Sequence, residues 1–288
     1  MRQLNFDLKQ LQRDRADGSY GTRAGRSYAL AQMADTLHEL GYRRLRATGL
    51  RGKHVEALVR EWQRQGLSTG TVKNRMTHLR WWAKRIGRPN VVRPDNAGYG
   101  IGDRSYVTNE NRSRGLPAGR LARVGDERVR MALRLQEAFG LRREEAIKFS
   151  PGYADRGSKI VLKASWTKGG RAREIPVLKD AQRRLLDEAR ALAGGGSMIP
   201  AHRNYAQQLE AYEKQTKDAG LERMHGLRHG YAIRRYEEIA GWRAPAAGGP
   251  PRRTLRGARK RIDAAARATV SRELGHSRPD IASVYIGS

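Results

Sequence analysis

The 288-residue chain has no cysteine, which excludes disulfides, thiolate nucleophiles and zinc sites built on cysteine. Long apolar runs are missing too: no stretch approaches the roughly 20 residues that a membrane-spanning helix needs. Residues 1–6 lack the apolar start of a secretory signal, so a cytoplasmic protein with no membrane association is expected. There is no internal repeat. Acidic residues are scarce, 29 Asp and Glu against 58 Lys and Arg, leaving a formal net charge of +29. Apolar residues make up only 38% and charged residues 30%, a balance more polar than that of most soluble domains. So basic a chain repels itself unless it works against a polyanion. Charge alone leaves DNA, RNA and an anionic membrane surface all open. The length allows two modest domains, each with its own core.

What is present reads mainly as helix. Leu30, Met33, Ala34, Leu37 and Leu40 recur at helical spacing. So do Val55, Leu58, Val59 and Trp62, and then Val72, Met76, Leu79, Trp82 and Ile86. Ser68 or Thr69 can cap the third of these helices, and Gly41, Gly66 and Gly87 mark helix ends. The polar flank offers Arg75, Arg80, Lys84 and Arg85 as phosphate contacts; Trp81 can stack on bases, whereas Trp82 falls in phase with the core. Proline and glycine among polar residues then predict a boundary: a helical domain over 1–95, a linker over 96–118 and a second domain over 119–288. In that second domain Val129, Ala132, Leu133 and Ala138 resume helical spacing. Strands are predicted over 160–164 and 173–177 around a turn-rich 167–171, hence a hairpin. Further helices are predicted over 180–192, 203–219 and 225–240, and from about residue 263 to Gly275. Between the last two lies an Ala/Gly/Pro stretch, 244–251, followed by a basic run, 252–261. A mobile, outward-bulging loop is expected there. Its Arg252, Arg253, Arg259 and Lys260 either contact phosphates or stay solvated. The fold class expected is mainly α with a small β-sheet.

Four short pieces of the second half carry chemistry once taken together. They are Gly140-Leu141-Arg142 with Glu145, Lys168 at the hairpin tip, His225-Gly226-Leu227-Arg228-His229, and Leu274-Gly275-His276 with Tyr285 nine positions on. An i, i+3 spacing puts His225 and Arg228 on one helix face. Metal-free phosphodiester transfer to a protein hydroxyl concentrates negative charge on two non-bridging oxygens. Guanidinium groups answer that charge with planar, bidentate donors, and Arg142 and Arg228 supply two. His225 and His276 can donate to the same oxygens or move protons near neutral pH. Lys168 can protonate the departing 5′ oxygen. Tyr285 can persist as a phosphoester, provided nearby cations lower its hydroxyl from the usual value of about 10. His225 and His229, four apart, also permit a metal pair; with no cysteine and no adjacent acidic motif, a shared helix face explains them, and neither metal nor cofactor is expected.

The ordered set over residues 140–285 resembles the tyrosine recombinase (phage integrase) family. That resemblance implies a mostly helical catalytic domain with a small sheet, behind a helical core-binding (SAM-like) domain. It implies that Arg142 and Arg228 clamp the scissile phosphate, that His225 and His276 assist, that Lys168 is the general acid and that Tyr285 attacks. Glu145 would orient Arg142, His229 would be a structural second histidine, and Arg171 would add a DNA contact beside the hairpin tip. The function implied is site-specific recombination through a 3′-phosphotyrosyl link, integrating and excising a mobile element. Double-stranded DNA would be gripped in a C-shaped clamp by a protein monomeric in solution and homotetrameric on DNA. Two rival readings are a type IB topoisomerase-like enzyme with the same chemistry and a non-cleaving DNA-binding regulator on the same scaffold, the six filled catalytic positions speaking against the second. Two features depart from the family: residues 228–276 are longer than usual, the excess falling at 243–262, and the chain ends three residues after Tyr285. From the chain's end, either another element interlocks the protomers or the assembly is weaker, and no separate arm-binding domain is expected ahead of the helical one.

Overall fold

The computed structural model describes residues 2–14, 17–167 and 169–288. They form two compact units, Met1–Ser105 and Tyr106–Ser288. In the first unit α1 (Gln3–Arg13), α2 (Tyr20–Glu39), α3 (Gly52–Arg64) and α4 (Thr69–Arg85) bury the apolar stripes read from the sequence, except Leu40, which lies past the end of α2 and is exposed. Leu30, Leu37, Leu58, Met76, Leu79 and Trp82 have no exposed surface. Ser68 caps α4 by accepting a hydrogen bond from the Thr71 amide at 3.2 Å, which satisfies a donor that the helix itself cannot. Helix α1 was not legible from periodicity, yet Leu4 and Leu8, one turn apart, seal this core.

The segment expected as a linker is divided between the units. Arg80 donates to the carbonyl oxygens of Arg93 and Asp95 and, at 2.8 Å, to Asn96 Oδ1, while Ile101 is buried in the helical core. The chain up to residue 105 is thereby folded onto the first unit. Farther on, it forms a strap across the second unit, where the Arg114 amide donates to the Gly226 carbonyl at 2.9 Å. The crossing requires glycine: a Cβ on Gly226 would lie 2.7 Å from the Arg112 carbonyl oxygen.

The second unit comprises α5 (Ala118–Ala122), α6 (Glu127–Phe139), α7 (Arg143–Ile147), α8 (Pro151–Ala154), β1 (Lys159–Leu162) and β2 (Arg173–Pro176). It continues with α9 (Asp180–Ala193), α10 (Tyr205–Asp218), α11 (His225–Ala240), α12 (Gly257–Glu273) and α13 (Ser283–Ile286). Strands β1 and β2 pair antiparallel with Ile160 opposite Ile175. Alternation along the strands turns Ile160, Leu162, Arg173 and Ile175 inward. Phe139, Leu186, Leu227, Tyr236 and Val270 fill the core between the helices. The architecture is mainly helical with one small sheet, as two domains. No helix among the described residues is long and apolar enough to cross a membrane.

The expected outward loop is corrected. Residues 244–256 pack as two short 3-10 turns whose Ala244, Ala246 and Leu255 are buried. The Ala244 amide donates to Glu237 on α11 at 3.1 Å. Small side chains, which made the segment look low in complexity, are what let its backbone lie this close. Helix α12 also starts about six residues earlier than expected, at Gly257, so the second half of the basic run forms its first turn. Arginine and lysine are good helix formers, and an exposed face tolerates their charge.

Candidate active site

Gly140 ends α6 in the left-handed conformation (φ +61°), and a Cβ there would meet the Tyr231 ring at 2.6 Å. That tight turn sets Arg142 at the start of α7. Glu145, fully buried, accepts from the Arg142 amide at 2.6 Å and from its Nη1 at 2.8 Å, so the arginine is fixed at both backbone and side chain. From the sheet side Arg173 makes a fork with the same carboxylate, at 2.5 and 2.7 Å, and its Nε donates to the Glu273 carbonyl at 3.0 Å. Burial by itself raises the Glu145 carboxyl; the Arg173 hydrogen bonds and the charges of Arg173, Arg228 and Arg142 override it and hold it at about 2.

Helix α11 delivers Arg228, which has no exposed surface. It donates Nη1 to the Gly140 carbonyl at 2.5 Å and Nη2 to the Leu274 carbonyl. Arg142 Nη2 reaches the same Leu274 oxygen at 3.4 Å, so two arginines 86 positions apart share one acceptor. No carboxylate makes an ion pair with Arg228 among the described residues, and burial pulls it down to about 10. Arg142 and Arg173 thus share the single carboxylate of Glu145, while Arg228 bonds carbonyl oxygens and the Tyr285 hydroxyl. The surplus positive charge is largely buried, and in such a low-dielectric setting it acts strongly on an anion placed beside it.

Tyr285, 6% exposed, closes the cluster from α13, its hydroxyl oxygen 3.4 Å from Arg228 Nε. Three imidazoles surround its ring, with centroids at 4.8 Å for His229, 5.8 Å for His276 and 6.1 Å for His225. Burial, reinforced by His225, pushes His229 down to about 4; burial, reinforced by Arg228 and Arg142, does the same to His276. Burial and Arg228 lower His225 as well. All three are neutral at pH 7. Among the described residues His276 Nε2 and His229 Nδ1 are buried without a hydrogen-bond partner.

The structure therefore gathers Arg142, Glu145, His225, Arg228, His229, His276 and Tyr285 in one place. Lys168 lies outside the described residues; the hairpin loop beside it is held by Thr167, whose hydroxyl donates to the Arg171 carbonyl at 2.6 Å. The expected DNA contacts divide into two groups. Lys84, Arg171, Arg252, Arg253, Arg259 and Lys260 are exposed. Arg75 instead donates to Gln32 and lies over Trp62, Arg80 ties down 93–96, and Arg85 pairs with Asp17 and stacks on Trp81. Those three spend their donors inside the first unit, and Trp81 is occupied by Arg26 and Arg85 rather than open for stacking. Arg173 was missed. Its signal was available: strand alternation puts it on the same face as Ile175, and an arginine facing a core needs an acid there.

Two family models match the chain: "Phage integrase, N-terminal" over residues 1–92 and "Integrase" over residues 116–234. The second spans Arg142, Glu145, His225, Arg228 and His229. The chain belongs to the phage integrase family of tyrosine recombinases. Its class of reaction is accordingly DNA strand breakage and rejoining. No curated protein sequence matches this recombinase. Among solved structures, a lambda integrase dimer bound to a COC′ core site is similar at TM-score 0.62 and 17% identity, covering 98% of this chain and 76% of that one. The Tn1549 transposon integrase in complex with circular intermediate DNA is similar at TM-score 0.57 and 12% identity, covering 100% and 96%. XerH recombinase bound to difH substrate gives 0.54 and 17%, covering 98% and 80%. At such identities these likenesses speak for the shared fold.

Proposed function

We propose that Tyr285 is the nucleophile of this site-specific recombinase and that Arg142 and Arg228 clamp the phosphate it attacks. The observation that carries the reading is that Arg142 and Arg228 meet at the Leu274 carbonyl while the Tyr285 oxygen lies 3.4 Å from Nε of the same Arg228. A scissile phosphate beside these donors would have its non-bridging oxygens neutralised as negative charge builds in the transition state. Neutral His225 and His276 can donate ring N–H bonds to the same oxygens. As Tyr285 attacks phosphorus its proton passes to solvent; the P–O5′ bond breaks and Lys168 protonates the departing oxygen. The products are a 3′-phosphotyrosyl link and a free 5′ hydroxyl. Attack by a partner strand's 5′ hydroxyl reverses the step and completes the exchange, the link having conserved the bond energy. Glu145 orients Arg142 throughout, and His229 packs behind the tyrosine.

The partner is double-stranded DNA, gripped through Lys84, Arg171, Arg252, Arg253, Arg259 and Lys260. Exchange between two duplexes needs four active sites, so the protein is a monomer in solution and a homotetramer on DNA, acting in the cytoplasm on a mobile element. Among the structural neighbours, lambda integrase has been seen as a tetramer bound to a Holliday junction. The test is a suicide duplex nicked next to the cut, on which cleavage releases a short strand and traps the adduct. Wild type is expected to yield a covalent protein–DNA species, and Tyr285→Phe none while still binding the duplex. An adduct that survives in Tyr285→Phe would remove the assignment.

A further inference from the structure

Helix α13 is a single turn, too short to hold its own shape, so the pose of Tyr285 must be imposed from outside. The constraint comes from Arg267 on α12, which is 2% exposed. Its Nη1 donates to Ser283 Oγ at 3.0 Å and to the Gly287 carbonyl at 2.8 Å. One anchor lies two residues before Tyr285 and the other two residues after it. Asp263, one turn earlier on α12, balances the guanidinium at 2.8 and 2.9 Å and also accepts from the Tyr236 hydroxyl at 2.7 Å. The tail beyond is threaded between two segments. Asn109 of the strap accepts from the Ser288 amide at 2.7 Å. Gly287 (φ +80°) passes so close to the packed insert that a Cβ would lie 2.7 Å from the Ala246 amide nitrogen.

Resting on the reading of Tyr285 as nucleophile, we propose that Arg267, held by Asp263, is a positioning residue for it. Arg267 anchors the chain on both sides of the tyrosine, by a side-chain hydroxyl before it and a backbone carbonyl after it, without touching the reacting atoms. Burying an arginine–aspartate pair is costly, and an apolar side chain of similar volume would fill the same space without that cost. Apolar packing, though, would not set a direction. A guanidinium bonded to two points of a one-turn helix does, and in-line attack tolerates little error in the place of the oxygen.

The test measures adduct formation by the full chain on the nicked suicide duplex, alongside cleavage by an external nucleophile. In Tyr285→Phe, hydrogen peroxide can replace the phenol: a peroxide oxygen bonds to phosphorus and loses its proton to solvent, while the 5′ oxygen leaves and is protonated. Arg267→Met is expected to slow Tyr285 adduct formation by about a hundredfold, the scale of an ångström of misplacement, with DNA binding unchanged. Added to Tyr285→Phe, the same substitution is expected to leave peroxide-driven cleavage as it was. Parallel loss of both reactions, or loss of neither, overturns the proposal. If peroxide cuts nothing in Tyr285→Phe, amide exchange over residues 281–288 decides instead: faster exchange in Arg267→Met supports the proposal and unchanged exchange overturns it. Should Arg267→Met not fold, Ser283→Ala removes one anchor and leaves no buried charge alone; slower adduct formation is then the expected result, and an unaltered rate the overturning one. An adduct that persists in Tyr285→Phe would sink the nucleophile itself, an outcome distinct from all of these.

Discussion

Glu145 is where the charges of the catalytic unit are balanced. Its carboxylate is shared by Arg142, the proposed phosphate clamp, and Arg173, which braces it from β2. Arg173→Leu removes one partner of a fully buried acid, and such losses cost about 3–5 kcal/mol. A lower melting temperature and a cleavage defect larger than the binding defect are expected; normal cleavage would deny Arg173 a part in placing Arg142. The histidines make a second prediction at this scale. His229 is held down to about 4 in the folded protein, chiefly by burial, against an ordinary value of about 6.5. Between those values the unfolded chain binds a proton that the folded one does not, so stability falls as pH drops through the window. The loss from this one side chain is on the order of 3 kcal/mol. Chemical denaturation from pH 7 to pH 4.5 should show it, and His229→Asn should flatten the profile; equal slopes in the two proteins would refute the burial account.

Helix α11 works as an element because one face carries His225, Arg228 and His229 while Gly226 and Gly230 leave room for the strap. Gly226→Ala is expected to destabilise the second unit by about 1–3 kcal/mol, the usual cost of overpacking, because Arg112 and Arg114 would have to move off the helix. Denaturant melts would register it, with proteolysis increasing near residues 109–116; an unchanged midpoint would mean that the strap is not packed as described. The insert makes the complementary point. The same composition that suggests a loose loop, small residues with glycine and proline, is also what a segment needs in order to lie flat against a helix. Composition alone does not separate the two cases, since part of the partner surface, on α13 and the strap, is formed by residues far away in the chain.

For the whole molecule the dominant quantity is the net charge of +29. Binding to DNA should therefore weaken steeply with salt. If six to ten phosphates are neutralised, affinity falls on the order of 10³–10⁵-fold between 50 and 200 mM salt. Arg253→Ala and Lys260→Ala should each reduce the slope of log affinity against log salt by about 1, whereas Arg80→Ala, whose donors are spent on the 93–96 backbone, should act through stability instead. Titrations at several salt concentrations separate the two behaviours, and a slope that is the same in all three variants would remove the assigned contacts.

Much of this protein was legible from residues alone. Helical periodicity gave the cores, because an amphipathic helix must repeat its apolar positions whatever it packs against. The ordered Arg, His-x-x-Arg and His…Tyr pieces pointed to a candidate site, and the fold brings those side chains together around Tyr285. What the sequence could not reveal depended on which surfaces meet in three dimensions. Arg173 looked like one arginine among many until β2 turned it toward Glu145, and Arg75, Arg80 and Arg85 looked free until their acceptors folded beneath them. Nor did spacing disclose that Arg267 brackets Tyr285, since hydrogen bonds across 16 and 20 positions leave no periodic trace. Local chemistry determined what each segment had to be; only packing decided which charges were left unspent for a phosphate.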